Sequence, residues 1–186
     1  AIWFPFQIKP QKKSNEWSLT TFHKFEQLAN LKNTGVTMAP LKLYFNHASE
    51  AWWRDAFPAG TLKPLSPKKI SGKFSLGYHT VVPISETHIY LDYLLNTFKA
   101  LGGIIKKGVI EDISSLKNDH FAVINCTGLG ARKLLNDREM FPIFGQIVKA
   151  ELQEGIISVS IESPISENPH ESAFIIRRCY CLVLGC

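Results

Sequence analysis

The sequence contains no run of about 18 apolar residues, the length that a membrane-spanning helix needs. Its longest apolar segment, YLDYLLNTFKALGGII, is interrupted by Asp92, Asn96 and Lys99. The first residues also lack the pattern of a secretory signal. We therefore expect a protein that neither spans a membrane nor is secreted.

Cysteine is scarce, and its spacing does not suit a metal site. Cys126, Cys179, Cys181 and Cys186 form no CxxC pair, and the histidines show no metal-ligand spacing. The sequence also has no G-x-S-x-G motif, which argues against a Ser-His-Asp hydrolase. We predict no metal, and buried, reduced thiols of the kind found in cytosolic or organellar proteins.

A stripe of basic residues interleaved with stacking aromatics is missing too. The formal net charge is +5 at pH 7, but the lysines are spread along the chain with only short pairs such as Lys12-Lys13 and Lys68-Lys69. A nucleic-acid site needs a concentrated basic surface. We therefore predict a solvated basic surface and no nucleic-acid partner.

What is present is the composition of a globular domain, with 45% hydrophobic and 20% charged residues among 186. Two segments have the periodicity of helices. SNEWSLTTFHKFEQLANL begins with Ser14 or Asn15 as a cap, and SETHIYLDYLLNTFKALGG begins with Ser85 as a cap and stops at two glycines. The residues that the first helix would turn towards the core are Trp17, Phe22, Phe25 and Leu28.

Strand-like segments surround these helices. VTMAPLKLYFNHA reads as a strand with alternation around Leu41, Leu43 and Phe45. FSLGYHTVVPIS reads as a strand that ends at Pro83, and the segment from Trp52 to Lys73 between them as an irregular connection. GIIKKGVIEDISSL reads as a short strand and turn, and HFAVINCTG as a buried strand. GQIVKAEL, IISVSIES and SAFIIRRCYCLVLGC then follow without helices, as in an antiparallel sheet. A change of pattern near Phe141 to Gly145 predicts a domain boundary.

The stretch INCTGLGARKLL combines a strand end, a glycine turn and the start of a helix. In open α/β sheets such turns let backbone N–H groups approach a phosphate or a ring. A tight turn alone also favours glycine. The local pattern therefore leaves a ligand site and a plain structural turn both open.

The wider order of motifs resembles the D-amino-acid oxidase family, which includes D-aspartate oxidase. Between Gly77 and Glu151, an aromatic strand beginning with glycine, a helix, a short strand, the motif NCTG and a GQI strand follow in the family's order. SAFIIRRCYCLVLGC is similar to a strand pair of the family that ends in LGG, and AIWFPF is similar to a segment that lines its cofactor. The likeness covers nearly the whole chain.

This resemblance implies a mixed α/β chain, part of a bilobal FAD-dependent oxidoreductase with a cofactor domain and an antiparallel-sheet substrate domain. We expect residues 1–142 to form the remainder of the FAD-binding domain, interleaved with substrate-domain segments at about 36–83. Residues 143–186 would begin the substrate-domain sheet. The family's pattern places a G-x-G-x-x-G phosphate motif before Ala1 and a substrate-clamping arginine after Cys186, so we expect a fragment that is inactive alone.

The activity that the resemblance implies is oxidative deamination of D-amino acids to 2-oxo acids, with release of ammonia and hydrogen peroxide. Its cofactor would be FAD, and its partners a D-amino acid and molecular oxygen. A homodimer stays open, and so does the choice between peroxisome and cytoplasm. Neither nucleic acid nor membrane is an expected partner.

The resemblance assigns no catalytic residue to this chain, but it does assign cofactor residues. They are Ala1, Ile2, Trp3, Val109, Ile110, Cys126, Thr127, Gly128 and Gly130. The first three would lie beside the flavin, and Val109 or Ile110 would present backbone groups to the adenine end. The residues of the glycine turn would approach the cofactor through their backbone and the hydroxyl of Thr127.

The substrate side departs from the family's pattern. Phe174 stands where the family has a substrate-binding tyrosine and lacks its hydroxyl, and His170 falls where some relatives have a tyrosine on a lid. His170 would either bind an acidic side chain or have no role. Arg177 and Arg178 face opposite ways on a strand, so at most one would attract an anionic substrate. These departures support a second hypothesis, a non-catalytic remnant of the oxidase scaffold that acts as a binding or interaction module.

Overall fold

The chain forms two compact units. The structure, a computed structural model, describes residues 1–5, 10–45, 52–70, 74–116, 120–142, 144–162 and 172–185. Unit 1 comprises Ala1–Leu101 and Gln146–Cys186, and unit 2 comprises Gly102–Gly145.

Unit 1 is built on one mixed sheet of seven strands, flanked by helices. The strands are β1 (Val36–Phe45), β2 (Lys63–Pro64), β3 (Leu76–Ser85), β4 (Ile147–Ala150), β5 (Ser158–Glu162), β6 (Ser172–Arg177) and β7 (Leu182–Gly185). Their order across the sheet is β2-β3-β1-β5-β6-β7-β4. Strand β5 runs parallel to β1, and every other pairing among the described strands is antiparallel. The predicted mixed α/β class is confirmed.

The core of unit 1 lies against the centre of this sheet. Leu41 and Leu43 are each 1% exposed, so the alternation predicted for β1 is confirmed. Phe22 from the first helix and Trp53 from a 3₁₀ helix at Trp52–Ala56 pack in the same cluster. The connection that was predicted to be irregular thus contains two 3₁₀ helices, the second at Pro67–Lys69.

The first helix, α1 (Gln11–Ala29), begins earlier than its capping pattern predicts. Pro10 occupies the N-cap, and the Ser14 N–H already donates to the Pro10 carbonyl as part of the helix. The predicted cap at Ser14 or Asn15 is therefore wrong. Trp17 was expected in the core but is 59% exposed. At about 100° per residue it lies about 140° around the helix from Phe22, so the two rings cannot share one face.

The second helix, α2 (Thr87–Ala100), follows β3 directly, with Glu86 at its N-cap. Ser85 is the last residue of β3, and its N–H donates to the Ala1 carbonyl at 2.8 Å. The predicted cap at Ser85 and the predicted strand end at Pro83 are both wrong. Pro83 stays within the strand because it needs no N–H there, while its carbonyl accepts a hydrogen bond from the Trp3 N–H at 2.9 Å.

Helix α2 has one packed side and one uncovered side. Ile89 and Tyr90 approach Gly35, and the Tyr90 ring lies edge-on to Phe25. Large apolar side chains at helical spacing are exposed on the other side; they are Leu91, Leu94, Leu95 and Phe98. The amphipathic pattern of α2 is therefore only partly used by contacts among the described residues.

Unit 2 contains only short helices in its described residues, 102–116, 120–142 and 144–145. They are 3₁₀ helices at Ile113–Leu116 and Gly128–Gly130 and α3 (Ala131–Leu134). The strands predicted in GIIKKGVIEDISSL and HFAVINCTG are absent there, and Phe121 and Ile124 are exposed rather than buried. A strand needs partners for its backbone groups, and the described part of unit 2 supplies none.

Candidate cofactor turn and substrate-side sheet

The glycine turn of unit 2 is held by Asn125. Its side-chain oxygen accepts hydrogen bonds from the Thr127 N–H at 3.1 Å and from the Thr127 hydroxyl at 2.8 Å. The Gly130 N–H then donates to the Thr127 carbonyl at 3.0 Å and starts the short helical segment. Asparagine and threonine therefore shape this turn locally, as expected of side chains that bond backbone groups two residues on.

The two glycines of this turn have different reasons to be glycine. Gly128 has a φ of +56°, which disfavours a side chain, and no atom lies within 4 Å of the position of an added Cβ. Gly130 has an ordinary φ, but a Cβ there would lie 3.3 Å from the Thr127 Cβ. The side of the turn at Gly128 is therefore open, so a flat ligand could approach its backbone closely.

The other cofactor residues predicted in unit 2 are also accessible. Val109 is 85% exposed and Ile110 is 47% exposed, in an extended segment outside any strand. Cys126 is exposed, which contradicts the prediction of a buried thiol. The turn carries Cys126 at its surface because Asn125 and Thr127 bond to each other instead of joining a strand.

Ala1, Ile2 and Trp3 lie in unit 1 and pair with the end of β3. Ile2 forms an antiparallel bridge with Ile84. The Trp3 ring is 7% exposed, stands edge-on to Phe22 and Phe57 with centroids 5.0 Å apart, and donates from Nε1 to the Ser18 carbonyl. The indole is thus a core group of unit 1. A cofactor role for Trp3 stays a prediction, as do the roles of the other predicted cofactor residues.

Phe174 lies in the middle of β6, in a row that crosses the sheet. Strand register pairs Leu43 with Ser160, Ser160 with Phe174, and Phe174 with Gly185. Paired residues lie on the same face of a sheet, so the half-buried Phe174 ring has a serine on one side and a glycine on the other. His170 and Cys186, which the sequence places near this row, lie outside the described residues.

Gly185 is required by the Phe174 ring. A Cβ at Gly185 would lie 2.5 Å from the Phe174 Cζ and 3.0 Å from two other ring atoms. We expect Gly185→Ala to lower the free energy of unfolding by about 1–3 kcal/mol, the usual cost of overpacking. Urea denaturation would measure this loss. Gly145→Ala is the matched control, because no atom lies within 4 Å of an added Cβ there; equal losses for the two variants would contradict the contact.

An ion pair that the sequence did not predict fastens the turn after β6 to the start of α2. Arg178 donates from Nε to Glu86 Oε1 at 3.0 Å and from a terminal nitrogen to Glu86 Oε2 at 2.8 Å. The Cys179 N–H donates to Glu86 Oε1 at 3.0 Å, and Arg178 also donates to the Ser85 carbonyl. The Arg178 hydrogen bonds, with help from Cys179, lower the pKa of Glu86 from 4.5 to about 2, against the opposing effect of burial.

The neighbouring residues correct two sequence predictions. Arg178 and Cys179 lie in the turn beyond β6 rather than within a strand, so the prediction that Arg177 and Arg178 alternate along one strand is wrong. Cys179 is accordingly exposed, not buried. Nothing local could have shown the ion pair, because its partners are 92 residues apart in the chain.

The described residue ranges contain neither a metal-binding cluster nor a membrane-spanning helix. Within those ranges no group of three or more His, Cys, Asp or Glu side chains is close enough to hold a metal ion. Likewise, no helix in the described part of the chain is long and apolar enough to cross a membrane.

Comparison with curated proteins gives one consistent result. A D-amino-acid oxidase of Dictyostelium discoideum is 30% identical over 192 residues, which cover all of this chain and 52% of that protein. One of Rubrobacter xylanophilus is 29% identical over 187 residues, covering all of the chain and 56% of that protein. The chain is a relative of the D-amino-acid oxidases. The resemblance predicted from the motif order is therefore confirmed.

The match to D-amino-acid oxidases extends to a third curated protein. A D-amino-acid oxidase of Streptomyces coelicolor is 29% identical over 152 residues, or 81% of this chain and 46% of that protein. No protein-family profile matches the chain. The chain spans about half the length of the D-amino-acid oxidases that it matches.

Proposed function

We propose that this chain is part of an FAD-dependent oxidase that converts D-amino acids to 2-oxo acids, ammonia and hydrogen peroxide. The observation that carries the proposal is the match of the whole chain to proteins named D-amino-acid oxidase. Within the proposal, residues 1–142 contribute to the FAD-binding domain, with substrate-domain segments at about 36–83, and residues 143–186 begin the substrate-domain sheet. The substrates are a D-amino acid and molecular oxygen.

The glycine turn fits a flat cofactor. Hydrogen bonds to the Asn125 side chain fix the conformation of the turn, so the backbone of the turn needs little ordering when a ligand binds. Gly128 has no side chain and leaves space beside the backbone. Cys126, Thr127 and Gly128 would hold the cofactor through backbone groups and the Thr127 hydroxyl. Bound FAD would supply the redox chemistry for oxidation of the D-amino acid by molecular oxygen.

The substrate side rests on β6. Phe174 would line the substrate pocket as an apolar wall, because its ring is only half-buried and cannot hydrogen-bond a carboxylate. The row from Ser160 to Gly185 fixes the ring's position. We therefore expect carboxylate recognition to depend on groups other than Phe174, and Phe174→Tyr to add a donor at this position.

The first test is native mass spectrometry of the protein purified from its source, followed by peroxide assays. We expect a bound flavin, absorbance near the flavin bands, and peroxide release with neutral or acidic D-amino acids but not with their L-enantiomers. A protein that carries no flavin and releases no peroxide would overturn the proposal.

A glycine variant tests the turn itself. We expect Gly128→Ala to weaken FAD binding by about tenfold or more, because a methyl group would occupy the space open to the ligand. Gly155→Ala is the matched control, since Gly155 also has a positive φ, +76°, and no atom within 4 Å of an added Cβ. Flavin titration followed by fluorescence measures both. Equal effects of the two variants would remove the turn from the cofactor site.

A second candidate function is a binding or interaction module built on an inactive oxidase scaffold. The phenylalanine at position 174 favours it, because this position lacks the hydroxyl of the family's tyrosine. It predicts a folded protein without flavin or turnover, in which Phe174→Tyr restores neither. The flavin and peroxide measurements above therefore separate the two functions.

A further inference from the structure

An open pocket of about 350 Å³ lies within unit 1, where the starts of β1 and β5 meet the turn after β6. Its walls include Pro40, Ile84, Ile156 and Ile157, and its polar groups come from Glu86, Ser158, Arg177, Arg178 and Cys179. A mainly apolar cavity of this size with a few converging polar groups is typical of a small-molecule site.

The charges of this pocket do not cancel. Glu86 and Arg178 neutralise each other through two hydrogen bonds and are 8% and 15% exposed in their side chains. Arg177 is also at the pocket, and among the described residues no carboxylate lies within salt-bridge distance of it. Counting only the described residues, the pocket therefore keeps one positive charge.

Arg177 is held in place without being neutralised. One terminal nitrogen donates to the Ile156 carbonyl at 3.0 Å and to the Gln153 carbonyl at 3.4 Å. A guanidinium has five N–H donors, so this nitrogen accounts for only part of its capacity. Neutral carbonyl groups orient the guanidinium but leave its charge available to an anion.

Ser158 adds a second polar group to the lining of the pocket. It is 1% exposed, and its hydroxyl accepts a hydrogen bond from the backbone N–H of Arg177 at 3.0 Å. A hydroxyl that accepts one bond still has a proton to donate. Ser158 therefore contributes a buried hydroxyl and Arg177 an oriented guanidinium to the lining of the same apolar pocket.

We propose that this pocket binds a small organic carboxylate with a branched apolar body, its carboxylate on Arg177 and its body against Pro40, Ile84 and Ile156. The bidentate match between guanidinium and carboxylate provides the anchor, and the apolar walls select against highly polar anions. The residues that line this pocket all belong to unit 1, and the proposal does not depend on the proposed oxidase activity.

The test is calorimetric titration of the purified protein with 3-methylbutanoate, with amide chemical shifts of Ser158 and Cys179 as the local readout. We expect saturable binding that weakens as salt rises. We expect Arg177→Met to weaken it about tenfold or more, the usual effect of losing a charge-assisted hydrogen bond. Arg138→Met is the matched control, since Arg138 is exposed in unit 2, and should leave binding unchanged.

Two comparisons keep the test decisive if Arg177→Met fails to fold. The neutral amide 3-methylbutanamide should bind the unmodified protein at least about tenfold more weakly, because it cannot use the charge. Arg177→Lys should bind 3-methylbutanoate more weakly than the unmodified protein and more tightly than Arg177→Met. Lysine keeps the positive charge but loses the bidentate geometry of the guanidinium. Equal binding of acid and amide, binding that survives Arg177→Met, or no saturable binding at all would each overturn the proposal.

Discussion

Replacing Gly35 with alanine should lower the free energy of unfolding by about 3 kcal/mol or more, the sum of backbone strain and overpacking. Gly35 has a φ of +71°, and a Cβ there would lie 2.8 Å from the Ile89 Cβ and 2.9 Å from the Tyr90 backbone nitrogen. These atoms belong to the first turn of α2. The Glu86 N–H also donates to the Gly35 carbonyl at 2.7 Å, so the two segments are joined at this point.

Gly60→Ala separates the two causes. Gly60 has a nearly identical φ of +75°, but no atom lies within 4 Å of an added Cβ. We expect a loss of about 1 kcal/mol for this variant, from strain alone. Urea denaturation followed by circular dichroism measures both variants, and similar midpoints for the two would show that the approach of α2 to Gly35 costs nothing.

Removing the charge of Glu86 should have an effect of similar size. In Glu86→Gln, Arg178 keeps its charge at 15% side-chain exposure without a carboxylate. Breaking a buried ion pair on one side costs about 3 kcal/mol. The double variant Glu86→Leu with Arg178→Met removes both charges, and we expect it to be more stable than either single variant, as a double-mutant cycle would show. A double variant as unstable as the sum of its parts would contradict a direct pairing.

The same pair predicts how stability depends on pH. The pKa of Glu86 in the folded protein is about 2, below its usual 4.5, so folding favours the ionised form. Its contribution is complete above pH 4.5 and is lost as the pH falls towards 2. The stability difference between the unmodified protein and Glu86→Gln should therefore shrink over this range, measured by denaturation at each pH. A difference that stays constant would exclude Glu86 as the titrating group.

Local periodicity was a sound guide where the partner of an element lies nearby. The alternation of Leu41 and Leu43 predicted which face of β1 is buried, because the antiparallel neighbour β3 follows it in sequence. The apolar periodicity of α2 also predicted a helix correctly, because the hydrogen bonds of a helix join residues that are close in the sequence. The motif order from Gly77 to Glu151 predicted the likeness to D-amino-acid oxidases, although no single motif in it was decisive.

Features that depend on distant partners could not be read from the sequence. HFAVINCTG has the composition of a buried strand, yet Phe121 and Ile124 are exposed because the described residues of unit 2 offer no neighbouring strand. Ser14 has the chemistry of a cap, but the helix extends beyond it to Pro10. Glu86 gives no local signal of its bond to Arg178, since Glu86 caps α2 and Arg178 follows β6.

The parallel pairing of β1 with β5 also governs the order in which unit 1 can be completed during synthesis. Strands β1 and β3 emerge from the ribosome before β5 and can form an antiparallel pair, but the second edge of β1 has no partner until β5 is made. Pairings between distant segments form slowly, and an open strand edge in the meantime can pair with another nascent chain. Slower elongation across the segment between the two strands would prolong this exposed interval, so the yield of folded protein should depend on translation speed there.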